Sequence, residues 1–109
     1  EMWTLRMDHE LSHPIALAFL HSGDFYRGRI EQVPEVASWA RGRALQTMIW
    51  LDGELAGRSH IAGEDYTMAD IVAQCACVLG KAVGLRIPPE MTHLSRWFAQ
   101  VSARPTARA

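Results

Sequence analysis

His9 and His13 stand four residues apart with Glu10 directly after the first, so His9-Glu10-Leu11-Ser12-His13 spells the H-E-x-x-H pattern of zinc peptidases. Four residues is just over one helical turn. On a helix both imidazoles therefore share a face, and Glu10 beside them can act as general base for a zinc-bound water. The remainder of such a site is missing from the sequence. A third protein ligand is required, yet Ala16 and Phe19 occupy the places where the extended motif has Gly and His, and nothing around Glu31 or Glu35 marks a ligand. Pro14 also disturbs the helix that must hold the two imidazoles in register. A zinc metallopeptidase is the least favoured of the readings below.

Asp70 precedes an apolar run, a setting in which a carboxylate is partly buried and open to a catalytic reading. Its neighbours explain it more simply. In Ile61-Ala62-Gly63-Glu64-Asp65-Tyr66-Thr67-Met68-Ala69-Asp70, Thr67 is a natural helix cap. Its hydroxyl can accept from the Asp70 N–H while the Asp70 carboxylate reaches back to the Thr67 N–H, a capping box with Asp in place of Glu or Gln. Tyr66 is spaced to pack on Ile71 across the cap as a hydrophobic staple. The carboxylate suits the positive end of the helix dipole, and such a cap is worth about 1 kcal/mol. Cys75 and Cys77, two apart on the helix that follows, point to nearly opposite faces and are read as two buried free thiols. Trp3, Trp39, Trp50 and Trp97 are read as packing residues, and His60 and His93 as surface residues near loops. The sequence has no Gly-rich phosphate loop, Ser-His-Asp set or metal-spaced Cys cluster.

The elements that must position these groups follow from periodicity and breakers. Leu5, Ile15, Leu17, Phe19 and Leu20 predict a helix from Met2 to about His21, with Pro14 kinking or dividing it. Ser22 to Pro34, with Gly23, Gly28 and Pro34, reads as a connecting loop anchored by Phe25, Tyr26, Ile30 and Val33. Val36, Ala40, Ala44, Met48, Leu51 and Leu55 recur at steps of three and four and predict a long amphipathic helix from Glu35 to about Gly57. The helix opened by Thr67 runs to about Val83 and is nearly apolar all round, which places it centrally. Gly84 and Pro88-Pro89 break the pattern, and Met91, Leu94, Trp97, Phe98 and Val101 resume it from Glu90 to about Ala103, before Arg104-Pro105-Thr106. No strand alternation occurs, so the fold class is all-α, a bundle of four to five helices.

Composition bounds the partners. A chain of 109 residues is one domain, residues 1–109, able to bury a single core. Eleven basic residues against 12 acidic ones leave no electrostatic footprint for nucleic acid. No apolar run approaches the roughly 20 residues needed to span a bilayer, and Glu1-Met2-Trp3 is not the basic start of a signal peptide, so no membrane partner is expected. Free thiols fit a reducing compartment, the cytoplasm. The start at Glu1 suits an internal or processed piece of a longer protein.

Three segments together resemble one family: Leu51-Asp52-Gly53-Glu54-Leu55-Ala56, then Ile61-Ala62-Gly63 to Thr67-Met68-Ala69-Asp70, then Leu94-Ser95-Arg96-Trp97-Phe98 with Arg104-Pro105. Their order and separations resemble the all-helical C-terminal domain of cytosolic glutathione transferases. The resemblance implies that the thioredoxin-like N-terminal domain, which holds glutathione and the Tyr, Ser or Cys that activates its thiol, is absent from this chain. No βαβ pattern is present, and Cys75-Ala76-Cys77 lacks the C-x-x-C spacing of a thioredoxin-like motif. The matched motifs are folding motifs, so no catalytic residue carries over, and the family's closing helix is expected to be missing or cut short at Ala109. The resemblance further implies a dimer interface and one wall of the pocket for a small electrophilic substrate, drawn largely from the first helix. Met2, Arg6, His9 and His13 fall at i, i+4, i+7 and i+11 and are the candidate substrate-binding residues. No metal or bound cofactor is implied for this chain, glutathione being the cosubstrate of the intact homodimer. The same fold also serves as a non-catalytic interaction module in translation elongation factors and aminoacyl-tRNA synthetases, the alternative reading.

Overall fold

In the computed structural model the described residues are 2–23 and 26–104. Their helices are α1 (Met2–Met7), a π-helical turn over Asp8–Ser12, α2 (His13–Ser22), α3 (Pro34–Glu54), a 3-10 turn over Leu55–Gly57, α4 (Met68–Ala82) and α5 (Thr92–Ser102). No strand forms among the described residues, only two isolated bridges. The fold is the all-α bundle that the periodicity predicts. Phe25, expected to anchor the connecting loop, and Pro105-Thr106 lie outside the described residues.

α1, the π turn and α2 form one uninterrupted rod, and Pro14 explains the irregularity inside it. Proline has no N–H to donate four residues back, so the Glu10 carbonyl loses its helical partner. The chain accommodates this just upstream by widening one turn, with the His13 N–H donating five residues back to the Asp8 carbonyl. The orphaned Glu10 carbonyl is satisfied from outside: Thr47 of α3 donates its hydroxyl to it at 2.6 Å. Pro14 thus divides the rod into two α-helical parts through a local widening that a neighbouring helix completes.

The core gathers one face from each element. Met7, Leu11, Ile15 and Ala18 of the rod meet Ala40, Ala44, Met48 and Leu51 of α3, Ala69, Ala73 and Ala76 of α4, and Leu94, Trp97 and Val101 of α5. Each fully buried Leu, Ile or Met contributes about 1.5–3 kcal/mol. Ala37, rather than the expected Val36, begins the buried stripe of α3. Between α2 and α3 the Gln32 side chain donates to the Leu20 and Gly23 carbonyls at 3.1 and 2.9 Å, occupying the free end of α2. At the far end of α4, Gly80 lies so close to the returning chain that a Cβ there would stand 2.8 Å from the Leu85 carbonyl oxygen. The chain turns back through Gly84 at φ 77°, left-handed backbone that glycine adopts without steric cost.

Two expectations are corrected. α4 is not enclosed on all sides by the described residues: Ala69, Asp70, Ala73, Ala76, Cys77 and Gly80 are buried, while Met68, Ile71 and Val78 are exposed. Its small residues face the bundle and its larger ones face out, so apolarity all round here marks two surfaces, of which the bundle covers one. Cys75 accordingly is exposed, and only Cys77 is a buried thiol. Trp39 likewise stands exposed on α3, whereas Trp97 is fully buried.

Candidate functional site

A trough runs along one side of the first rod. Its upper part, about 290 Å³, is lined by Asp8, His9, Ser12, His13 and Ala16. Its lower part, about 410 Å³, shares His13 and Ala16 and adds Leu17, Phe19, Leu20, Tyr26 and Leu79. One end thus offers two imidazoles, a hydroxyl and a carboxylate, and the other is apolar, closed by the edge-on pair of Phe19 and Tyr26 with ring centroids 5.7 Å apart. Such a surface can hold an apolar body while polar groups orient its reactive end. The polar end exists because the π turn presents His9, Ser12 and His13 together.

The structure divides the four residues expected to share a stripe. His9 and His13 line the trough. Arg6 instead lies in a separate hollow of about 200 Å³ with Glu10, Arg43, Gln46, Thr47 and Trp50. The extra residue in the π turn, Asp8–Ser12, rotates everything after it by about 100° relative to an unbroken α-helix, which carries His13 off the face of Arg6. Its guanidinium stands 4.2 Å from the Trp50 ring centroid and donates to both Glu10 oxygens at 3.2 Å. Trp50 in turn stacks on Trp3 at 5.7 Å, with the Arg58 guanidinium 4.8 Å from the Trp3 ring. Met2 is exposed at the start of α1. Leu17, Phe19, Leu20 and Leu79 were legible only as helix-face residues, since periodicity does not tell a core face from a cavity wall.

The H-E-x-x-H residues do not assemble as a zinc-peptidase site needs. Glu10 is held by Arg6 on another side of the rod, and among the described residues no group of three His, Cys, Asp or Glu side chains comes together at metal-binding distance.

Asp70 positions the bundle around the trough. The capping box is formed. Its main strength is in Asp70: Oδ2 accepts from the Thr67 N–H at 2.9 Å and from the Thr67 hydroxyl at 3.4 Å, while the Asp70 N–H donates to the Thr67 carbonyl at 3.0 Å. Oδ1 accepts from the Ile61 N–H at 3.0 Å and from Trp97 Nε1 at 2.8 Å. One fully buried carboxylate thereby ties α4, the loop before it and α5 together. Tyr66, expected to staple onto Ile71, has its ring edge-on to His60 at 6.0 Å and under the Arg104 guanidinium at 3.7 Å, while Ile71 is partly exposed. His60 is half-buried, its Nδ1 2.9 Å from the Glu64 carbonyl. The other matched motifs also hold the frame. Asp52 of α3 accepts from the Leu94 N–H at 2.8 Å, capping α5 from outside it, and Arg96 donates to the Leu55 and Arg58 carbonyls at 2.9 and 3.0 Å.

Among the described residues, an all-α bundle pinned by a buried Asp and Trp and carrying an amphipathic trough on its first rod defines the class. Residues 11–105 match the family model "Glutathione S-transferase, C-terminal domain", and the chain belongs to that family. It is similar to Glutathione S-transferase 2 of Saccharomyces cerevisiae, 28% identical over 109 residues, a match covering 98% of this chain and 47% of that protein. The crystal structure of Gtt2 from Saccharomyces cerevisiae superposes with a TM-score of 0.90 at 28% identity, covering 98% of this chain and 52% of that one. A glutathione S-transferase domain-containing protein from Marinobacter aquaeolei VT8 superposes with a TM-score of 0.88 at 29% identity, covering 97% and 53%. The chain spans about half the length of these relatives.

Proposed function

We propose that this chain is the helical half of a glutathione transferase and that its trough forms one wall of the electrophile pocket. The thioredoxin-like half binds glutathione and lowers the pKa of its thiol, because the thiolate is the nucleophile. The sulfur attacks an electrophilic carbon, the new S–C bond forms, and the leaving group departs with its electron pair. The helical half contributes orientation and exclusion of water: Leu17, Phe19, Leu20 and Leu79 hold the apolar body, and His9 and His13 meet its polar end. Arg6 and Met2 act at the margin of this wall rather than within the trough. The working form is a cytoplasmic homodimer, and exposed Leu5, Trp39 and Ile49 of α1 and α3 provide apolar surface for contact with another subunit.

The observation that carries this reading is the amphipathic trough on the rod where the chain matches the family. Conjugation of glutathione to a chlorodinitrobenzene by the intact two-domain protein tests it. Ala16→Trp, which fills the trough, is expected to raise the KM for the electrophile about tenfold while leaving the KM for glutathione unchanged. An inactive intact protein would favour the interaction-module reading, and equal effects on both KM values would remove the trough from the substrate pocket.

A further inference from the structure

The far wall of the trough is held by residues that do not line it. Around the apolar half, Tyr26 stands in the segment joining α2 to α3, whereas the other lining residues belong to α2 and α4. A ring carried on such a segment has no helical ladder to fix it, so its place depends on the bonds that pin the segment. The Tyr26 N–H donates to the Gly23 carbonyl at 3.2 Å, and the Tyr26 carbonyl accepts from the Arg29 and Ile30 N–H groups at 3.0 and 3.3 Å, closing a tight turn. Gln32 then reaches back from the end of this turn. Its half-buried amide donates to the Leu20 carbonyl, one of the last in α2, at 3.1 Å and to the Gly23 carbonyl at 2.9 Å. The Gly23 carbonyl thus receives both Tyr26 and Gln32, and one side-chain amide fixes the Tyr26 turn against the end of α2. Gly23 itself leaves room for this: a Cβ there would stand 2.7 Å from the Phe19 carbonyl oxygen and 3.3 Å from the ring on which Tyr26 packs edge-on. A second tie, from the Val33 N–H to His21 Nδ1 at 3.1 Å, is exposed and exchangeable with water, so Gln32 carries most of the restraint.

We propose that Gln32 is a positioning residue that sets the length of apolar body the trough accepts, by holding the Tyr26 ring across its end. The inference rests on the transferase reading above and goes beyond it, because Gln32 lines neither part of the trough. His9 and His13 fix the reacting end of a substrate at one extreme, so selection by length falls on the other.

Calorimetric titration of the intact two-domain protein with S-alkylglutathiones of increasing chain length tests this, the tail on sulfur standing in for the apolar body of the electrophile. Affinity is expected to rise about fourfold for each methylene that enters the trough and to level off where the tail meets Tyr26. Gln32→Ala and Gln32→Glu, the second keeping the shape of the side chain without its donor, both move that plateau out by about two carbons. Tyr26→Ala moves it likewise, and adding Gln32→Ala to Tyr26→Ala moves it no further, since Gln32 acts through that ring. Short-tailed members bind all variants within about twofold of the parent, which a general loosening of the fold would not leave unchanged. In the 109-residue chain alone, the nuclear Overhauser contact between the Phe19 and Tyr26 rings is expected to be lost in Gln32→Ala and kept in His21→Asn, which retains an acceptor for Val33. A plateau at the same carbon in Gln32→Ala, or a ring contact that survives it, overturns the role of Gln32. Absence of S-alkylglutathione binding by the parent protein overturns the transferase reading instead, and the selection of length with it.

Discussion

Replacing Asp70 with Ala strands three N–H groups at once, and the structure allows the cost to be worked out. Two of them, the Ile61 amide and Trp97 Nε1, donate to Oδ1 inside the bundle at 3.0 and 2.8 Å. A hydrogen bond to a charged group contributes about 1.5–3 kcal/mol, so this pair accounts for about 3–6 kcal/mol. The third donor, Thr67 N–H, is only partly buried and recovers most of its loss from water. Removing the carboxylate also removes its own desolvation cost, which brings the net destabilisation to about 3–5 kcal/mol. For a domain of this size that corresponds to a Tm lower by roughly 12–30 °C. Asp70→Asn keeps the Oδ1 acceptor but turns an amide donor toward the Thr67 N–H, and is expected to cost about 1.5–3 kcal/mol. Trp97→Phe deletes one donor and leaves Oδ1 with Ile61. In the double variant Asp70→Ala/Trp97→Phe no indole donor remains to be stranded, so the two losses fall short of additivity by about 1.5–3 kcal/mol. Urea unfolding followed by far-UV circular dichroism measures all four proteins independently of tryptophan fluorescence. An Asp70→Ala loss under about 1 kcal/mol, or additivity within about 0.5 kcal/mol, would refute the buried carboxylate as the tie between α4 and α5.

Thr47→Val leaves the Glu10 carbonyl without a partner and is expected to cost about 1–2 kcal/mol in urea unfolding. In a Pro14→Ala background, where residue 14 regains an N–H for that carbonyl, most of this cost disappears. An unchanged cost would show that Pro14 is not the origin of the π turn. The thiols divide by burial: one cysteine, Cys75, reacts with a thiol reagent in the native protein, and Cys77 reacts only after unfolding. Because the folded Cys77 thiol is raised to about 12 while an unfolded one ionises near 8.5, its contribution to stability is complete below about pH 8.5. It falls by about 1.4 kcal/mol per pH unit from there to about pH 12. The difference between the unfolding profiles of the parent and Cys77→Ala isolates this slope from other alkaline titrations, and parallel profiles would contradict it.

What lies within a turn or two of itself was legible in the chain. Thr67 and Asp70 are three residues apart, so their capping box forms from local geometry wherever a helix begins there. Pro14 announced an irregularity, the steps through Ala40, Ala44, Met48 and Leu51 announced the buried face of α3, and Gly84 announced the end of α4. The order of such signals sufficed to indicate the fold and family. The same local logic mistook the all-apolar α4 for an enclosed helix and carried Arg6 onto the face of His9 and His13. Neither the exposure of Cys75 nor the widened turn is written in residue types alone.

The sequence by itself determined where helices start, stop and bear an apolar face, because those depend on hydrogen bonds and side chains within about four residues of one another. Only the tertiary structure decided that Asp70 meets Trp97 from 27 residues away, that Asp52 caps α5 across 42, and that Thr47 completes the Glu10 turn across 37. It also decided that His9 and His13 border a trough while Arg6 stacks on Trp50. The reason is geometric. Periodicity specifies which residues share a face, whereas the neighbour that face meets depends on how whole helices pack and on one extra residue in a single turn.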